Sequence, residues 1–181
     1  MSLSLHYLPA AHFSEAHSIL IDAEPERILS CVERVQPNDD PVIARLIGLR
    51  EAPARWAGRA GSPEPFGLQN FTPLGRTESE LAFGLAGRFW RLDFGLVPFG
   101  EPDAFRAFDE PGFAKLVLGF ETKRTADGRV RLTTRTRLFC FGSAARLKMV
   151  PYWLAIRVAS GWIRQRILRL VKTASEAPAQ G

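Results

Sequence analysis

The sequence predicts an α+β domain in which an antiparallel sheet is covered by a long C-terminal helix, and two observations carry that expectation. Residues 129–141 alternate strictly, with Val130, Leu132, Thr134, Thr136, Leu138 and Cys140 on one side and Arg129, Arg131, Thr133, Arg135 and Arg137 on the other. This is the period of a strand with one face in water. Residues 149–171 place Met149, Trp153, Ile156, Ser160, Ile163, Ile167 and Leu170 at three-and-four spacing, which gives a helix one face to bury. A half-solvated sheet and a closing helix complete each other, and the pair suggests a container for an apolar small molecule.

Each element has its own local reason. Residues 17–23 form a short apolar first strand, and Glu24-Pro25-Glu26 then opens a helix, because proline suits the first helical turn and acids suit its positive end. Ile28, Leu29, Val32 and Val35 are its buried stripe. Asp40-Pro41 repeats the start signal, with Asp40 as N-cap, and Val42, Ile43, Leu46, Ile47 and Leu49 make a second short helix. The Gly/Pro-rich passage 58–65 is a loop. Strands follow over 66–72, 76–85, 88–94 and 112–123, and Asp127-Gly128 is a hairpin turn into 129–141. The inward sets are Thr77, Ser79, Leu81, Phe83 and Leu85, then Trp90, Leu92 and Phe94, then Ala114, Leu116, Leu118 and Phe120.

At 181 residues and 46% hydrophobic content, the chain suits one domain over 1–181, with 1–16 as an N-terminal arm and 173–181 as a disordered tail. Cys31 and Cys140 lie outside any metal-ligand or C-x-x-C spacing and read as reduced core residues of a cytoplasmic protein. Residues 152–171 come nearest to a membrane span, but Arg157, Arg164, Arg166 and Arg169 interrupt them. Between Arg129 and Lys172 there are eleven basic residues and no acid, within a net charge of +5. They divide between a strand and a helix without the aromatic interleaving of nucleic-acid modules, so no nucleic-acid partner is expected.

The order of elements resembles the helix-grip superfamily of START and SRPBCC domains, birch-pollen-type allergens and polyketide cyclases. Pro111-Gly112-Phe113-Ala114-Lys115 ahead of a strand, Thr134-x-Thr136-Arg137 in the last strand, and Tyr152-Trp153-x-x-Ile156-Arg157-x-x-Ser160-x-x-Ile163-Arg164 on the helix resemble a bacterial branch of it. The resemblance spans residues 17–172. It implies a curved antiparallel sheet of six to seven strands wrapped around the terminal helix, with a cavity between them.

No catalytic constellation is legible. His6, His12 and His17 precede the first helix, away from any nucleophile spacing, and read as surface or arm residues. Glu78 and Glu80 share a strand face, but it is the solvent face opposite Leu81 and Phe83. No phosphate loop, nucleophile elbow or metal motif is present, so neither cofactor nor metal is expected. What remains is an apolar lining of Leu81, Phe83, Trp90, Leu92, Leu116, Leu118, Phe120, Leu132, Trp153 and Ile156 with a few polar groups, Ser79, Thr134, Thr136 and Arg157. Arg157 is expected to meet a ligand carboxylate or enolate. The function expected is non-catalytic binding or transport of a lipid or polyketide-like molecule. The alternatives are a polyketide cyclase or aromatase, and a basic peripheral module that meets an acidic partner or an anionic membrane.

Overall fold

A computed structural model describes residues 2–36, 39–45, 48, 67–91 and 93–178. In order these form α1 (Leu3–Tyr7), β1 (Phe13–Ile21), α2 (Pro25–Arg34), β2 (Thr72–Arg76), β3 (Glu80–Gly87), α3 (Pro102–Ala107), β4 (Ala114–Arg124), β5 (Val130–Cys140) and α4 (Ser143–Glu176). The strands make one antiparallel sheet in the order β1-β5-β4-β3-β2. It has five strands among the described residues, not six or seven.

The missing strand is the one expected over 88–94. There the chain turns, with Arg91 N donating to Arg88 O and Phe94 N to Arg91 O, and Phe94 takes a positive φ of 57°. Such a backbone cannot continue a ladder. The strand expected over 66–72 is a short 3₁₀ turn at Leu68–Asn70 leading into β2, and the one expected over 76–85 begins only at Glu80. β1 starts four residues earlier than expected, inside the supposed arm. Helix α4 runs from Ser143 through Pro151 to Glu176, so the supposed tail begins helical, over 173–176. Asp40 is the expected N-cap: its Oδ1 accepts from the amides of Val42 and Ile43, and residues 41–45 are helical. Leu46, Ile47, Leu49 and the passage 58–65 lie outside the described residues.

The hairpin and its alternation are as read, with Gly128 at φ 84° in the turn and every inward residue of β5 buried. The outer face of the sheet departs from expectation. Arg131 and Arg135 do stand in water at the β1–β5 side, but the β3–β4 side is covered by α1 and α3. β3 is accordingly buried on both faces, and the close approach requires glycine: a Cβ on Gly84 would fall 2.8 Å from the Phe105 ring of α3. Lys115, on the same face, is buried with its Nζ donating to Arg106 O and Phe108 O at 3.0 Å, and burial lowers its pKa. Arg137 is likewise not free, since it donates to the carbonyls of Leu8 and Pro9 and holds down the segment between α1 and β1.

On the inner face α4 packs chiefly over β1 and β5 and against α2. Two apolar clusters anchor it. Near its C-terminal end Leu168 and Val171 join Ile21, Ile28, Leu29, Val32, Leu81, Phe83, Phe120, Val130 and Leu132. Near its start Ala145 and Met149 join Leu85, Phe89, Ala114, Leu138 and Cys140. Both cysteines are free and buried, and burial raises the Cys140 thiol to about 11. No helix among the described residues is long and apolar enough to cross a membrane.

Candidate functional site

Between the two clusters the inner face turns polar. The register sets Glu15 opposite Thr136 and His17 opposite Thr134, and continues those rows through Leu118 to Phe83 and through Phe120 to Leu81. Four polar side chains on adjacent strands therefore face the underside of α4. The helix passes close above them at Gly161, where an added Cβ would sit 3.1 Å from Glu15 Oε1 and 3.4 Å from His17 Cε1. One turn on, Arg164 reaches into the same seam and its Nε donates to Ser160 Oγ at 3.4 Å.

The seam is short of partners. Thr134 Oγ1, Thr136 Oγ1, His17 Nε2 and Arg164 Nη1 are buried without a hydrogen-bond partner among the described residues. His17 Nε2 does lie 3.1 Å from Glu15 Oε1, an ion-pair distance without hydrogen-bond alignment. The two threonines are almost completely inaccessible, at 2% and 1% exposure. Burial lowers the Arg164 guanidinium to about 10, against the charge of Glu15, which favours its protonated form. A buried cation and two buried hydroxyls with open valences are costly to leave unmatched. The arrangement can orient an oxygen-bearing group, with Arg164 for an anion and the threonines for either donor or acceptor.

The expected site residues divide. Thr134 and Thr136 are in the seam, Leu81, Phe83, Phe120 and Leu132 are core below it, and Leu118 packs against that core. Leu116, Trp90 and Trp153 pack against the other cluster, Trp153 5.4 Å from the Phe13 ring, and Ile156 is half-buried. Three expectations fail. Ser79 is exposed in the turn before β3, where its carbonyl accepts from Thr122. Trp90 is in the turn after β3 and not on a strand. Arg157 is exposed, because the underside of the helix drifts along its length and brings Arg164 inward instead. Leu92 lies outside the described residues. The residues that sequence reasoning missed are Glu15, His17 and Arg164. The signal was present for two of them: Phe13, Glu15, His17, Ile19 and Ile21 alternate as a strand face. His12 is also more than an arm residue, since it stacks on Phe139 and its Nδ1 accepts from Cys140 N.

A cavity of about 550 Å³ opens elsewhere, between α2 and the end of α4, lined by Arg27, Cys31, Arg34, Val35 and Ala177 among others. It shares no residue with the expected lining. Among the described residues no group of three or more His, Cys, Asp or Glu side chains is placed to hold a metal ion.

No family model matches the chain, and no curated protein matches it. A crystal structure of a hypothetical protein from Helicobacter pylori is similar at a TM-score of 0.38 and 10% identity, over 94% of this chain and 92% of that one.

Proposed function

We propose that the chain is a helix-grip domain that binds a hydrophobic small molecule beneath α4, with the molecule's polar end in the seam of Thr134, Thr136 and Arg164. The observation that carries this reading is the set of unpartnered buried polar atoms on one stretch of the inner face, flanked on both sides by aliphatic and aromatic side chains. An apolar site needs few polar groups to fix orientation, and an arginine among them selects an anion such as a carboxylate. The role first expected of Arg157 passes to Arg164.

Native mass spectrometry of the purified protein with lipid extraction identifies what it carries. A long-chain fatty acid and its methyl ester then separate the contributions. Arg164→Met weakens the acid by about 1.5–3 kcal/mol and leaves the ester nearly unchanged, while Arg157→Met alters neither. Equal behaviour of the two variants toward both ligands removes the reading. A second reading, proton transfer on the bound molecule as in polyketide cyclases, is favoured by His17 Nε2 lying 3.1 Å from Glu15 Oε1. Unaltered ligand recovered from an incubation with a polyketide-like thioester decides against it.

A further inference from the structure

The outward side of α4 carries a second unexplained feature. Leu147, Val150, Leu154, Val158 and Trp162 recur at intervals of three and four, and all are exposed, Val158 at 81% and Leu147 at 75%. On a helix these positions fall on one line, about 22 Å long. An apolar line of this length on a soluble surface marks a binding face. Beside it, roughly a quarter turn away, Arg146 and Arg157 flank one side and Lys148 the other, all exposed. Trp162 ends the line, with the Arg166 guanidinium 5.2 Å from its ring. The whole of α4 up to its last residue, Glu176, is free of acidic side chains.

We infer that α4 docks on an anionic lipid bilayer surface, with Leu147, Leu154, Val158 and Trp162 entering the headgroup boundary and Arg146, Lys148 and Arg157 meeting lipid phosphates. An apolar stripe with cations on both flanks is the charge pattern of helices that lie in the plane of such an interface. The same charges argue against a second copy of the chain as occupant. A two-fold interface sets a patch against itself, which would oppose these three cations to their own images with no acid on the face to pair them. The basic residues of β5 do not contribute, because Arg131 and Arg135 stand on the opposite side of the sheet. This surface is the outward side of the helix whose inward side holds the seam, and the inference does not depend on the seam binding anything.

The test is co-sedimentation of the full chain with vesicles of phosphatidylcholine mixed with phosphatidylglycerol, and of phosphatidylcholine alone. The expected result is binding to the mixed vesicles that weakens as salt rises. The double variant Leu154→Glu, Val158→Glu loses roughly tenfold or more in partitioning, and since both sites are exposed its melting curve is unchanged. The double variant Arg146→Glu, Lys148→Glu loses the preference for the anionic vesicles. Equal partitioning of the wild-type chain and the Leu154→Glu, Val158→Glu variant overturns the proposal. So does light scattering that finds a dimer converted to a monomer by that variant without vesicles, which would assign the stripe to a second copy.

Discussion

Ala145 and Met149 at one end of α4, and Leu168 and Val171 at the other, are closed into aliphatic clusters, whereas no residue between Met149 and Gly161 is buried. Beneath the anchored ends the sheet offers Leu85 and Leu138, or Val130 and Leu132. Where Arg164 reaches down between those clusters it offers Glu15, His17, Thr134 and Thr136. One helix thus does two jobs with different chemistry. Its ends hold it to the sheet, and the stretch between them covers polar atoms that have no hydrogen-bond partner among the described residues. Apolar anchoring and the covering of polar groups are separated along its length, and that separation can be attacked directly.

The largest effect is expected at an anchor. Leu168→Ala removes a buried side chain from the larger cluster and lowers stability by about 2–5 kcal/mol in urea denaturation. Leu154→Ala, in the exposed span, changes it by less than about 0.5 kcal/mol. Comparable losses from the two would erase the distinction between ends and middle. A smaller effect of opposite sign is expected in the seam. Thr134→Val replaces an unpartnered buried hydroxyl by a methyl group of similar size and raises stability by about 1 kcal/mol, while weakening ligand binding. A loss of stability would show that the hydroxyl is already satisfied.

The smallest effect sharpens the account of the C-terminal anchor and is seen through pH. Asp40 is buried and pairs with Arg166 of α4 at 2.7 Å. The hydrogen bond from Arg166, with the amides of Ile43 and Val42, holds its carboxyl below the usual range, against the opposing pull of desolvation. The folded state therefore gives up this proton more readily than the unfolded chain does. The stabilisation is fully present above an ordinary carboxylate value of about 3.9 and is lost as pH falls through the lowered one. Asp40→Asn removes that part of the acid dependence. An identical decline of the urea midpoint with falling pH in both proteins would place it on other carboxylates.

Much of the sheet was legible, and for definite reasons. The Val130–Cys140 strand alternates without interruption, and Asp127-Gly128 can do little but turn. Pro25 and Asp40-Pro41 start helices by fixing φ and supplying a cap, which are local effects that tertiary structure does not override. The segment 88–94 misled because Trp90, Leu92 and Phe94 alternate as a strand would, while the positive φ of Phe94 and Gly95 belongs to a turn that no residue pattern announces. Arg157 and Arg164 have the same spacing rules, and which of them faces the sheet depends on the path of the helix between two distant anchors. That is a tertiary quantity. His17 was obscured by its neighbours, since Ile19, Leu20 and Ile21 are apolar in succession and hide the alternation until the partner strand fixes which residues face in.

The first strand of the chain lies beside the last, so the contact between His12 and Cys140 closes a separation of 128 residues. Two of the five polar seam residues, Glu15 and His17, come from that first strand, and the other three from β5 and α4. Contacts so far apart in sequence form late, after the entropy of closing a long loop has been met. A chain emerging from the ribosome therefore holds Glu15 and His17 in water until β5 and α4 have followed them. The seam is complete only when β1 has met both β5 and α4.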